Sequence, residues 1–214
     1  MNILAICGAA NKSRNTATML RNAFEGAMSV PGSKGEIVNL YDLSFKGCRG
    51  CHVCKLQKNI SLARCVQNDD LSPILSKAKE ADVLIIGSPI YYASITGETR
   101  SFIERYFFPS MTYNPDKDSV FLYPKRTKVG WVFTLNGANM DVYANYFESL
   151  MSTTQRLIGE SEYVVANKTK QFDDYSKYAA RLFDEEMIEK RHLEQFPKDC
   201  EAAFEMGKRL ANKL

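Results

Sequence analysis

The stretch DVLIIGSPIYYASITGETRSFIER, residues 82–105, reads as a strand, a polar turn and the start of a helix in immediate succession. Residues 82–87 (DVLIIG) form a continuous apolar run without alternation, the pattern of a strand with apolar neighbours on both faces. Residues 97–107 carry helical spacing. The same unit recurs outward in both directions. Residues 2–7 (NILAIC) are a second apolar run, closed by Gly8. A polar loop leads from it into residues 16–28, where Met19, Leu20, Ala23, Phe24 and Ala27 recur at helical intervals. Further strands are expected at 36–40, 128–135 and 162–166, and further helices at 71–79 and 143–157. After the fifth strand the chain reads as mostly helical, with Pro197 interrupting and residues 200–214 forming a last amphipathic segment. Alternating strands and helices imply an α/β fold whose five-stranded parallel sheet has helices on both faces.

With 214 residues the expectation is one domain over 1–214, since no repeat, linker or low-complexity tract divides it. It would include a cysteine-rich loop at 47–65, an aromatic loop at 108–127 and a C-terminal helical extension at 174–214. The formal charge of +3 is not concentrated in any run, which argues against nucleic acid as a partner. No apolar run reaches the ~20 residues needed to cross a bilayer, so no membrane partner is expected. The N-terminus reads as a buried strand rather than a secretion signal, and the expected location is cytoplasmic. In a reducing compartment, clustered cysteines point to metal ligation or redox chemistry more than to disulfides.

Ligands of such sheets bind beyond the carboxyl ends of the strands. The loop after the first strand, Gly8 to Thr16, opens directly onto a helix, and Ser13, Asn15 and Thr16 could converge there on a phosphate. The plainer alternative is that one of these side chains caps the helix. The loop is neither G-x-x-x-x-G-K-[ST] nor G-x-G-x-x-G, which withdraws support from triphosphate and dinucleotide sites of those kinds. After the third strand, Pro89, Ile90, Tyr91, Tyr92, Ala93 and Ser94 suit a wall for a flat heteroaromatic ring. The alternative is a tyrosine pair in the core or at a dimer contact. After the fourth, Thr134, Asn136 and Gly137 form a third small polar loop.

Together these loops resemble the flavodoxin-like NAD(P)H-dependent FMN reductase and quinone reductase superfamily, most specifically in GSPIYYASITGETRSFIER, residues 87–105. The resemblance implies a three-layer flavodoxin-like fold with strand order 2-1-3-4-5. It implies FMN as cofactor and NAD(P)H as co-substrate, with a small electron acceptor such as a quinone, a nitro- or azo-aromatic, or free flavin. Carried over by position, residues 89–94 would flank the isoalloxazine. Ser13, Asn15 and Thr16 would hold the phosphate, and Thr134, Asn136 and Gly137 would edge the ring from the other side. Relatives often carry Ser-Pro-Arg after the first glycine, where this chain has Ala9-Ala10-Asn11. Asn11, Lys12 or Arg14 would then replace the missing donors. A homodimer or homotetramer is the implied assembly, and the chemistry resides on FMN rather than on a catalytic side chain.

Residues 47–65, GCRGCHVCKLQKNISLARC, hold four of the six cysteines. The spacing of Cys48, Cys51 and Cys54, with RCVQNDDLSPI after them, resembles the iron-sulfur flavoprotein branch of that superfamily, although Cys65 follows after a longer gap than is usual there. Three readings stand: an iron-sulfur cluster on Cys48, Cys51, Cys54 and Cys65, a zinc site, or free or oxidisable thiols. The first would make the chain an electron carrier between protein partners. Cys7 is expected to be buried, Cys200 to lie on a helix, and His192 to be solvated.

Overall fold

The computed structural model describes residues 1–60, 62–114 and 121–212. Residue 61 of the cysteine loop, 115–120 of the aromatic loop and 213–214 of the C-terminal extension lie outside the described residues. Six strands are described: β1 (Asn2–Cys7), β2 (Lys34–Asn39), β3 (Val83–Tyr91), β4 (Ser94–Ile95), β5 (Lys128–Thr134) and β6 (Ser161–Ala166). The long strands pair in parallel in the order β2-β1-β3-β5-β6, and the two-residue β4 folds back antiparallel on β3. Counting the long strands alone gives 2-1-3-4-5, the order of a flavodoxin-like sheet.

Side-chain alternation along the central strands divides the core in two. Leu4, Ile6, Leu84, Ile86, Trp131 and Phe133 face one side, where they pack with α3 (Leu71–Glu80), α4 (Gly97–Phe107) and α5 (Asp141–Leu157). Ile3, Ala5, Val83, Ile85 and Val132 face the other, under α1 (Asn15–Met28) and α7 (Phe196–Asn212). Burial on both faces is why β1, β3 and β5 read as unbroken apolar runs. The remaining helices are the short α2 (Gln57–Ile60) and α6 (Glu185–Glu194). Among the described residues, no helix is long and apolar enough to cross a membrane.

α1 and α7 approach backbone to backbone. A Cβ at Gly207 would stand 1.8 Å from the Ala23 carbonyl oxygen, and one at Gly26 would stand 1.9 Å from that of Phe204. The helices meet at this distance only because both positions lack a side chain.

Three expectations are corrected. Pro197 does not interrupt a helix: it is the second residue of α7, where its missing N–H costs no intrahelical bond. Residues 167–184 are irregular apart from one 3₁₀ turn, Tyr175–Lys177, rather than helical. His192 is half-buried and stacked on Phe196, with ring centroids 5.2 Å apart, rather than solvated. Cys7 is buried as expected, and Cys200 lies on α7.

The turn from β3 to β4 was not anticipated. Tyr92 and Ala93 have φ of 48° and 61°, both left-handed, as a two-residue type I′ hairpin turn requires. Asn-Gly is the usual signal for this turn, and it is absent here.

Gly207→Ala is expected to lower stability by about 1–3 kcal/mol through overpacking, seen as a lower denaturant midpoint; an unchanged midpoint would mean that the helices separate freely. Ala93→Gly is expected to raise stability by about 0.5 kcal/mol, the left-handed penalty less part returned as chain entropy. A lower midpoint would show that residue 93 does not adopt this conformation in solution.

Candidate functional site

At the carboxyl ends of β1, β3, β5 and β6 lies a cavity of about 970 Å³. Of the residues expected to form a site, Asn11, Asn15, Thr16, Pro89, Ile90, Tyr91, Tyr92, Thr134, Asn136 and Gly137 line it together. Ser13, Ala93 and Ser94 do not. The Ser13 backbone N–H and hydroxyl both donate to Asn11 Oδ1, at 3.0 and 2.9 Å, and Ser94 donates to Tyr146 Oη at 3.3 Å.

Several constraints hold the loops in place. The Thr96 hydroxyl donates to the Gly8 carbonyl at 2.9 Å, and the Thr96 N–H donates to Ser88 Oγ at 3.1 Å. Thr96 also caps α4 by accepting from the Thr99 N–H. A Cβ at Gly8 would lie 1.8 Å from the Thr99 hydroxyl oxygen, so only glycine fits there. On the cavity floor, the buried hydroxyls of Thr16 and Thr134 bond each other at 2.6 Å, linking the first turn of α1 to the end of β5.

The cavity's chemistry is mixed. α1 begins after Arg14 and no side chain caps it, so its first N–H groups have neither an intrahelical partner nor a capping oxygen. They and the positive end of the helix dipole favour an anion. Arg14 lines the cavity and forms a two-pronged ion pair with Asp173, at 2.7 and 2.6 Å; its hydrogen bonds hold that carboxyl below the usual range. Lys12 is engaged elsewhere, with Asp42 at 2.7 Å. On the opposite side, the buried amide nitrogen Nδ2 of Asn136 has no hydrogen-bond partner. An orphaned donor on a cavity wall suits a ligand carrying polar acceptors.

Sequence reasoning missed one wall. Thr169, Lys170, Gln171 and Phe172 follow β6 directly and close the cavity with Tyr178. The Asn15 amide donates to the Lys170 carbonyl at 2.8 Å, and Phe172 stacks on Tyr178 with centroids 4.0 Å apart. The signal was available, because the rule that placed sites after the other strands applies equally to this one. The aromatics Tyr106, Phe107 and Tyr123, which their pattern alone allows either in a substrate pocket or in core and dimer packing, are buried in the core.

The four loop cysteines line a second, much smaller cavity at the far end of α4. Cys48 and Cys51 are exposed, Cys65 is half-buried and Cys54 is buried; burial pushes the Cys54 thiol up. Among the described residues, no three His, Cys, Asp or Glu side chains form a site for a single metal ion. The thiols share a cavity without sharing a coordination sphere. That donor set suits a cluster, in which each thiolate binds a different iron. The space among them is about 10 Å³ as the loop stands, smaller than a cubic cluster.

Arg105 ties the neck of this loop. Its side chain is fully buried and donates to the Lys46 carbonyl at 3.0 Å, the Gln67 carbonyl at 3.2 Å and Asp69 at 2.6 Å. Burial pushes the Asp69 carboxyl up, but the Arg105 guanidinium outweighs this and holds it below its ordinary value. Lys55, whose pKa is lowered by burial, donates to the carbonyls of Phe108 and Met111 and lies 4.3 Å from the centroid of the Phe108 ring.

Residues 1–123 match the NADPH-dependent FMN reductase family. An iron-sulfur flavoprotein of Archaeoglobus fulgidus is 37% identical over 105 residues, 49% of this chain and 48% of that protein. The chain spans about half the length of the curated relatives it matches. An NAD(P)H:quinone oxidoreductase from Methanothermobacter marburgensis shares the fold with a TM-score of 0.65 at 12% identity, over 100% of this chain and 98% of that one. An FMN-dependent NADH-azoreductase from Bacillus anthracis, solved in complex with FMN, gives 0.63 at 16% identity over 99% of each chain. With the match covering more than half its length, this chain belongs to the NADPH-dependent FMN reductase family.

Proposed function

We propose that the protein is an FMN-dependent NAD(P)H oxidoreductase acting on a small acceptor such as a quinone, a nitro- or azo-aromatic, or free flavin. The observation that carries this reading is the large cavity, with an uncapped helix start and Arg14 on one side and the unpartnered Asn136 amide on another. The N–H groups of α1 and Arg14 hold the phosphate. Pro89, Ile90 and Tyr91 cover one edge of the ring, while Thr134, Asn136 and Gly137 line the other, with the Asn136 amide donating to a ring acceptor. Phe172 and Tyr178 limit access by water. When bound, FMN supplies the hydride chemistry, taking a hydride from the nicotinamide and passing reducing equivalents to the acceptor. The side chains orient the ring and stabilise the charge it gains on reduction. The six free thiols support a cytoplasmic setting. The exposed Tyr92 and Leu182 support a homodimer or homotetramer.

A second reading is favoured by the four cysteines around one cavity and by the iron-sulfur flavoprotein relatives. In it the chain also carries a cluster on Cys48, Cys51, Cys54 and Cys65 and passes electrons between protein partners.

Arg14→Gln is expected to weaken FMN about tenfold, a loss of about 1.4 kcal/mol, and to weaken riboflavin much less, as followed by flavin fluorescence quenching. Equal losses for both ligands would remove the phosphate role. Asn136→Leu is expected to weaken both flavins alike, and unchanged binding of either would remove the amide from the ring site. For the second reading, anaerobically purified protein is expected to contain about four irons and four sulfides per chain, and a flavin spectrum without iron would reject the cluster.

A further inference from the structure

The charge of Arg105 exceeds what its structural task requires. Tying the neck of a loop needs donors, and neutral ones would serve. A buried ion pair is a weak device for stability, because desolvation consumes much of the attraction. Here a guanidinium with a side chain 0% exposed is balanced by one carboxylate, Asp69, that is itself 20% exposed. Its NH1 and NH2 nitrogens are engaged by Lys46, Gln67 and Asp69, while Nε is buried with no partner. The side chain lines the four-cysteine cavity, in which the Gln67 amide donates to the Cys65 sulfur at 3.7 Å. A permanently charged donor with a free N–H beside four thiols has one kind of natural counterpart, a group of net negative charge held by those sulfurs.

We infer that Arg105 sets the reduction potential of an iron-sulfur cluster bound by Cys48, Cys51, Cys54 and Cys65, acting as a positioning residue through its buried charge beside their shared cavity. The inference rests on the cluster reading above. Cluster potentials follow net charge, hydrogen bonds to the sulfurs and solvent exposure. A buried cation favours the more negative, reduced state and so raises the potential. Asp69 opposes it, partly cancelling the same field. Arg105 and Asp69 thus act on the cluster with opposite signs, although both tie the same neck.

The test uses the full chain reconstituted anaerobically with iron and sulfide. Iron and sulfide content and a redox titration followed by electron paramagnetic resonance are measured for the wild type, Arg105→Gln, Arg105→Lys and Asp69→Asn. Arg105→Gln is expected to keep its iron and shift the midpoint downward, with Arg105→Lys shifting it less. Asp69→Asn is expected to shift it upward. Unchanged midpoints at equal iron content, or shifts of the same sign in the Arg105 and Asp69 variants, overturn the inference and leave the cluster reading intact. Should Arg105→Gln lose its iron because the neck opens, Asp69→Asn decides alone: an upward shift supports the inference and any other result overturns it. A wild-type chain that takes up no iron overturns both readings at once.

Discussion

The site depends on a small set of buried hydroxyls at the crossing of β1, β3 and α4. Ser88, Thr96 and Thr99 are all buried, and Thr96 bonds the Gly8 carbonyl, the Ser88 hydroxyl and Thr99 together. Each bond answers a polar group that would otherwise lie unsatisfied in an apolar interior, which costs about 1–3 kcal/mol per group. The network therefore fixes geometry as well as stability. It locks the exit of β1 against that of β3, orients the start of α4 and demands glycine at position 8. The loops after β1 and β3 take their positions from this crossing. A flavin-sized cavity can be left open between them without the loops collapsing into it.

α4 carries the consequence to the other end of the molecule. It starts at Thr96, among these hydroxyls, and its last turn holds Arg105 at the neck of the cysteine loop. Eleven residues of helix rise about 16 Å. A rigid rod of that length, buried along one face by Phe102, Ile103 and Tyr106, sets the distance between the two cavities. Neither site can drift relative to the other unless that packing breaks.

Much of this was legible in the sequence, for physical reasons that differ by element. The central strands were plain because burial on both faces leaves no room for polar residues, so 82–87 and 2–7 read as unbroken apolar runs. Their order followed from the family resemblance carried by residues 87–105. The cavity-lining loops were legible because small and polar residues follow strands at the carboxyl edge. The β3–β4 turn was not, since Tyr92 and Ala93 are held left-handed by the surrounding sheet rather than by their own preference. Tertiary context overrode local propensity there. The wall at Thr169–Phe172 follows a strand as the other loops do, so its place was legible, but which of its residues meet the cavity is set by long-range bonds, from Asn15 to Lys170 and from Arg14 to Asp173, that no local pattern encodes. Tyr106 and Tyr123 were ambiguous for a related reason. An aromatic side chain has the same pattern whether it covers a ligand or fills a core, and only the fold decides.

The ion pair of Arg14 with Asp173 places a cation at the start of α1 by a route the start of the first loop does not supply. Where many relatives place Ser-Pro-Arg immediately after the first glycine, this chain has apolar Ala9 and Ala10, and the nearby Lys12 is engaged with Asp42. Among the described residues, the one guanidinium that reaches the cavity comes instead from the residue before α1, and it is paired with a carboxylate 159 positions away. A phosphate arriving at the helix start would meet a cation already shared. Its affinity then depends on how far Arg14 turns from Asp173, and Asp173 belongs to the same segment that forms the missed wall. The helix start and the wall after β6 are thereby joined through a single side chain. That coupling follows from where the charges lie in this sequence, and a relative with its arginine in the first loop would lack it.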